Sequence, residues 1–182
     1  MKKKYILIVI FFFIFNRKVN ANKAEHPITL IGDWLQILLP LSSFIVSAVD
    51  SPKSMLEFTM HFAMSNFTTF GVKKLTNLDR PNGSRHSFPS GHTVSAFSGA
   101  SYIRVKYGFK YAIAPYLLAS FVGYSRIYAD KHYLRDVVAS IVLSELTAMW
   151  LVKAKVNTDV RQLNFIVNPS RQEFGFNFNY KF

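Results

Sequence analysis

Between Trp34 and Val49 lie sixteen residues without a charge, and the stretch is ended by Asp50-Ser51-Pro52. A proline cannot continue a helix interior but suits the first turn of a new one, so this punctuation predicts one helix stopping and another starting at Lys53 or Ser54. The first helix contains Pro40, which predicts a kink, and Asp33 stands near its start. Four more segments have helical length and few glycines. Met55 to Val72 carries Leu56, Met60, Ala63, Phe67 and Phe70 at helical spacing, and His92 to about Tyr107, Tyr111 to Tyr124 and Val137 to Val152 follow. Five apolar helices of this length must cover one another, which predicts an all-α helical bundle.

The bundle occupies residues 28–156, and the flanks differ from it. Residues 1–21 begin with Lys2 to Lys4 and an uncharged run from Tyr5 to Phe15, the positive start and apolar core of a secretory signal, with a cleavage point after Ala21. Arg17 and Lys18 stand between the run and that point, and cations there resist translocation, so an uncleaved membrane anchor is the alternative. Residues 157–182 alternate Leu163, Phe165 and Val167, turn at Asn168-Pro169-Ser170, then alternate Phe174, Phe176, Phe178, Tyr180 and Phe182, the pattern of a C-terminal β-hairpin.

Charge bounds the partners. The chain of 182 residues has a net charge of +12 and no cysteine, so disulfides and thiolate metal sites are excluded. The basic residues punctuate apolar segments at Lys73, Lys74, Arg80 and Arg85, and at Arg104, Lys106 and Lys110; they line no helical face and accompany no nucleic-acid-reading motif, so nucleic acid is not the expected partner. With each helix reversing direction, Lys53, then Arg104 to Lys110, then Lys153 and Lys155 fall on the cytoplasmic side, as the positive-inside rule prefers. That order predicts a membrane protein of the cell envelope, while the shortness of several spans, Glu145 inside the last one and a mean hydropathy of only +0.15 leave open a bundle lying at the membrane surface. The same topology leaves the hairpin tail in the cytoplasm.

Three polar clusters interrupt the apolar pattern: Lys73 with Arg80-Pro81, then Pro89-Ser90-Gly91-His92, then Ser125-Arg126 with His132 and Asp136. Ser90 precedes an apolar helical run, which makes it an N-cap candidate whose neighbouring amides can meet a phosphate. His132 and Asp136 are four apart on one helical face, so the carboxylate can hold one ring nitrogen and leave the other as a nucleophile. Each cluster also has a plainer reading: a capped helix with a solvated histidine, an exposed ion pair worth a few tenths of a kcal/mol, and basic helix ends facing water. Taken together they supply three fixed cations and two imidazoles around one anion, a set suited to a phosphate without a metal. His61 is read as a core or interface histidine and His86 as exposed. Asp33 and Glu145 have no evident partner and are assigned no role.

In order and spacing the clusters, K-x6-R-P, P-S-G-H and S-R-x5-H-x3-D, resemble the motifs of the type 2 phosphatidic acid phosphatase and vanadium haloperoxidase superfamily, with every position filled from Lys73 to Asp136. The resemblance implies that family's all-α core and a metal-independent phosphatase with no cofactor. It implies that His132 attacks phosphorus, Asp136 orients it, and His92 protonates the leaving oxygen. Lys73, Arg80 and Arg126, with Ser90 and the Gly91 amide, would hold the phosphoryl oxygens. An envelope setting makes a lipid phosphate or diphosphate the expected substrate, with the site facing the periplasm or exterior. The same resemblance admits a soluble periplasmic acid phosphatase and a haloperoxidase. A non-catalytic envelope component that binds through its tail is the alternative of a different class.

Overall fold

The computed structural model describes residues 26–155 and the backbone of two later segments, 163–168 and 173–178. The signal or anchor segment expected over residues 1–21, and the turn expected at Asn168-Pro169-Ser170, fall outside the described residues. Within them five helices form: α1 Pro27–Asp50, α2 Pro52–Thr76, α3 Gly91–Tyr107, α4 Phe109–Tyr128 and α5 Leu134–Leu151. Two strands, β1 Leu163–Asn168 and β2 Glu173–Phe178, pair antiparallel with Phe165 opposite Phe176.

Helix α1 starts well before Trp34, where the charge-free run begins. Pro27 occupies its first turn and the His26 ring accepts from the Ile28 amide at 3.3 Å. Asp33 therefore lies inside the helix, more than a turn from its start. Ser51 serves both neighbours: its amide closes α1 on the Ser47 carbonyl at 3.2 Å, and its hydroxyl accepts from the Ser54 amide at 3.1 Å to cap α2, with Pro52 in the first turn.

Helix α3 packs against α1, α2, α4 and α5, so it is surrounded. Its sequence suits that place because Ala96, Ser98, Gly99, Ala100 and Ser101 are small enough for close approach. A Cβ on Gly99 would sit 2.8 Å from the Leu39 carbonyl oxygen, so α1 could not cross here over any larger residue. The hydroxyls that this composition brings inside are satisfied by helix carbonyls: Ser98 donates to Val94, Ser101 to Phe97, and Ser43 of α1 to Gly99. Apolar contacts fill the rest, with Leu39, Phe97 and Val122 in one cluster and Phe58, Tyr102 and Ala148 in another.

The outer surface is apolar. Trp34, Ile37 and Ile45 on α1, Met60 and Phe67 on α2, Ile113 and Leu117 on α4, and Val142 and Leu146 on α5 are all exposed. Among the described residues, α1 is the helix long and apolar enough to cross a bilayer. Charges between the helices are paired. Glu145 does have a partner: its carboxylate takes the Arg104 guanidinium at 2.5 Å and the Tyr116 hydroxyl. Lys106 meets Glu57 at 2.8 Å, and Lys155 meets Asp50. His61 is fully buried, with Nε2 3.0 Å from the Ser98 carbonyl, as a core histidine.

Candidate active site

The first turns of α1, α3 and α5 and the last turns of α2 and α4 meet at one end of the bundle, together with the loops 77–90 and 129–133. Two contacts tie the loops to each other and to α5: the Asn82 amide donates to the Asp130 carbonyl at 3.1 Å, and the Ser90 amide to the Asp136 carbonyl at 3.2 Å. The three polar clusters, separated in sequence, converge here.

His132 lies in the loop before α5, not on one helical face with Asp136 as their spacing suggests, because the helix begins at Leu134; it is almost wholly buried, and its Nδ1 lies 3.4 Å from Asp136 Oδ2. The same carboxylate oxygen accepts from the Tyr133 amide at 2.9 Å and from the Ser87 hydroxyl, so it is fixed by three elements of structure. Burial alone would raise the Asp136 carboxyl; the bonds from His132, Ser87 and the Tyr133 amide overcome this and leave it below its ordinary value. Burial pushes His132 below the usual imidazole range, and Lys73 and Arg80 add to the effect against the opposing pull of Asp136. The ring is thus neutral near pH 7, with one nitrogen directed at a carboxylate, as a nucleophile needs.

Lys73, in the last turn of α2, reaches across to the loop and donates to the carbonyls of His86 at 3.0 Å and Ser87 at 3.3 Å. Burial and the nearby Arg80 push its ammonium down to about 8. The Arg80 Nε is buried and has no hydrogen-bond partner among the described residues, so a donor stands ready beside His132 and Lys73. Ser90 is the residue before α3, but its hydroxyl does not cap the helix: it accepts from the Thr93 hydroxyl at 2.9 Å. Beside it, Gly91 has room, since a Cβ there would meet only the Lys73 side chain at 3.8 Å.

Arg126 departs furthest from its expected setting. It is wholly buried in the last turn of α4 rather than solvated, and it points at α1: Nη2 donates to the Thr29 carbonyl at 2.9 Å, Nη1 to Asp33 Oδ1 at 2.5 Å, and Nε to the Ser125 hydroxyl at 3.0 Å. Gly32 permits this, because a Cβ there would lie 2.0 Å from Ser125 Oγ and 2.9 Å from Arg126 Nη2. His92 completes the group, with Nε2 3.2 Å from the same Asp33 oxygen. Burial pushes His92 down to about 4, Arg126 adds to this, and Asp33 opposes it; His132 is near enough for its charge to be felt.

The eight candidate residues, Lys73, Arg80, Ser90, Gly91, His92, Arg126, His132 and Asp136, are therefore at one end, although Lys73, Ser90 and Arg126 each hold protein partners. Asp33 and Ser87 are the site residues that the motifs do not contain. A carboxylate next to a run of sixteen uncharged residues calls for a partner, and that was the available signal for Asp33. Ser87 had none. Among the described residues, no three His, Asp or Glu side chains gather so as to hold a metal ion. A cavity of about 760 Å³ lies at the opposite end among Lys106, Tyr107, Tyr111 and Lys155 and contains none of these residues. Chemistry, not cavity size, identifies the site.

Residues 54–159 match the model of the PAP2 superfamily. The chain is 39% identical over 71 residues to a lipid A 1-phosphatase of Porphyromonas gingivalis, an alignment covering 37% of this chain but only 16% of that protein. It is 24% identical over 135 residues, 68% of each protein, to a lipid A 4'-phosphatase of Helicobacter pylori. The fold is similar to the crystal structure of Aquifex aeolicus LpxE, with a TM-score of 0.59 at 20% identity, covering 71% of this chain and 88% of that one.

Proposed function

The chain belongs to the PAP2 superfamily, and from that premise we propose that it is a metal-independent phosphatase that hydrolyses a lipid phosphate or diphosphate monoester at the cell envelope through a phosphohistidine intermediate. The observation that carries this reading is the His132–Asp136 pair, held by Ser87 and the Tyr133 amide and placed among Lys73, Arg80, Arg126 and His92. The names of the two relatives favour a lipid A phosphate within that class.

A phosphate monoester is dianionic and repels nucleophiles, so fixed cations must neutralise it before anything can attack. Lys73, Arg80 and Arg126 supply three, with the α3 amide at Gly91 as a further donor. His132 Nε2 gives its lone pair to phosphorus while Nδ1 keeps its proton toward Asp136. The bond from phosphorus to the lipid oxygen breaks, and that oxygen takes a proton from His92, a step worth roughly 10² to 10⁴ in rate for a poor leaving group. In the second half a water gives its proton to His92 and attacks phosphorus, the phosphorus–nitrogen bond breaks, and the electron pair returns to His132. The 3.4 Å separation of Nδ1 and Asp136 is long for a hydrogen bond, and such contacts commonly tighten once substrate is bound.

The setting follows from the surface. The exposed apolar sides of α1, α2, α4 and α5 suit lipid contact, and the site groups lie at helix ends on the water side of this belt. Lys53, Lys110 and Lys153 lie toward the other end, which gives the site a periplasmic or exterior face under the positive-inside rule. In the same reading residues 1–21 are a signal or anchor, 28–156 the catalytic domain, and 157–182 a tail in which β1 and β2 form a hairpin.

The test is phosphate release by the full chain purified in detergent with excess chelator, against a panel of lipid A 1- and 4'-phosphates, phosphatidate and p-nitrophenyl phosphate. Turnover that His132→Ala abolishes on every substrate, and that vanadate inhibits competitively, is expected. Release no greater than that of the His132→Ala variant on the whole panel would overturn the reading.

A further inference from the structure

Asp33 lies outside the residues that match the superfamily model, on a helix that contributes none of the motif residues. Yet its Oδ1 is shared by two groups of the site, Arg126 Nη1 at 2.5 Å and His92 Nε2 at 3.2 Å. The placement is specific at both neighbours. One turn earlier on α1, the Thr29 carbonyl takes the other arm of the same guanidinium, so α1 holds Arg126 at two points. Gly32 is the residue that lets the helix come that close. Asp33 itself is partly exposed, its side chain at 35%, whereas Arg126 is fully enclosed, so the carboxylate reaches solvent where the guanidinium does not.

His92 Nε2 and the Asp33 carboxylate form an ion-pair contact at 3.2 Å, and a negative oxygen that close favours the ring form that carries its proton on the nearer nitrogen. The site then contains two matched pairs. Asp136 is in hydrogen-bonding contact with His132 Nδ1, and Asp33 is an ion-pair neighbour of His92 Nε2; among the described residues His132 Nε2 and His92 Nδ1 have no hydrogen-bond partner. We propose that Asp33 is a positioning residue for the acid step: it keeps a proton on His92 Nε2 and aims Nδ1 at the leaving oxygen. This rests on the phosphatase reading above. On departure of the lipid, the proton passes from Nδ1 of the imidazolium to the alkoxide oxygen, and His92 is left neutral with its Nε2–H still toward Asp33. In the second half the same Nδ1 accepts the proton of water. Because Asp33 also offsets the charge of Arg126, it weakens ground-state phosphate binding while it supports the chemical step.

The charged groups acting on His92 are Asp33 from α1, Arg126 from α4, and Lys131 and His132 from the loop 129–133. Asp33→Asn removes the one that favours the imidazolium and keeps the shape. Its kcat on an alkyl phosphate is expected to fall on the order of 10²-fold, against less than about threefold on p-nitrophenyl phosphate, whose phenolate needs little protonation. KM is expected to fall on both, since Arg126 loses a competitor for the phosphate. A support role for Arg126 alone predicts a raised KM and equal losses of kcat on the two substrates, and that result would overturn the proposal. A second measurement needs no turnover: nitrogen NMR of ring-labelled wild-type protein, with His92 assigned by its loss in His92→Gln, is expected to show neutral His92 protonated on Nε2. Protonation on Nδ1 would refute the assignment even if the enzyme is active. An inactive wild type that nonetheless shows the Nε2–H form would refute the phosphatase reading and leave the pairing standing.

Discussion

The pH dependence of kcat/KM follows from the number of protons that the reaction needs. One proton must be available for the leaving oxygen, while His132 must have none on its attacking nitrogen. In the unliganded site His92 is pushed down to about 4, so at neutral pH it carries no second proton to give. A phosphate monoester with a second pKa of about 6 carries the proton in as the monoanion below that value, and on binding the dianion can take its charge partner from an imidazolium. Above about 6 the free substrate has lost that proton and the His92 ring holds none to replace it, so kcat/KM is expected to fall tenfold per pH unit there. Lys73 adds a second loss, because a group whose pKa is lowered to about 8 gives up its charge as pH rises through that value. The slope then steepens toward a hundredfold per unit. On the acid side, protonation of His92 below about 4 adds a proton too many, and protonation of His132, itself below the usual imidazole range, removes the nucleophile. The assay is initial rate at low substrate from pH 3.5 to pH 9.5, with rates at each pH checked for reversibility on return to about 5. A profile flat between about 6 and 8 would refute the proton count, and with it the assignment of His92 as the acid.

Two structural predictions use parts of the molecule that the chemistry depends on differently. Gly32→Ala places a Cβ 2.0 Å from Ser125 Oγ and 2.7 Å from its Cβ, so α1 must shift off Arg126; kcat/KM is expected to drop on the order of 10²-fold. Gly71→Ala meets nothing within 4 Å and serves as the control with unchanged activity; an equally active Gly32→Ala would mean that α1 is not held against the site. At the other end, Glu57→Ala leaves the Lys106 ammonium, only 8% exposed, without its partner. Breaking such a pair costs about 3–5 kcal/mol, which for a domain of this size is on the order of 10 °C in melting temperature. Glu57→Leu with Lys106→Met should recover most of it, and a loss under about 2 °C for Glu57→Ala would mean that the cation is hydrated.

The fold was legible because its helices are bounded by local chemistry. Asp50-Ser51-Pro52 ends one helix and starts the next wherever the rest of the chain goes, and Ser90-Gly91 marks the start of α3. Boundaries were missed where a polar residue was taken to end an apolar stretch. Asp33 sits inside α1, not near its edge, and Arg126 sits inside α4, because each satisfies the other across 93 positions of sequence. Glu145 and Arg104 fall within their helices in the sequence reading too, and only their pairing across 41 positions is hidden there. A charge within an apolar helix reads locally as an interruption; only the tertiary partner turns it into an interior contact.

The site divides along the same line. His132 and Asp136 are four apart in sequence, but the pair forms across the start of α5, with His132 in the loop and Asp136 in the first turn, so spacing named the partners and the loop sets their geometry. Lys73, Arg80 and Arg126 were recognisable as residues, but their geometry depends on loop closure: Lys73 reaches the loop only because the chain folds back to bring the carbonyls of His86 and Ser87 over the end of α2. Those bonds and the Arg126–Asp33 pair mean that the cations are anchored by the protein before any anion arrives. Donors already fixed in place need no reorganisation as charge develops on the phosphoryl oxygens. A helix with no motif of its own therefore belongs to the site, since without α1 the buried guanidinium would lose both the Thr29 carbonyl and the carboxylate that hold it.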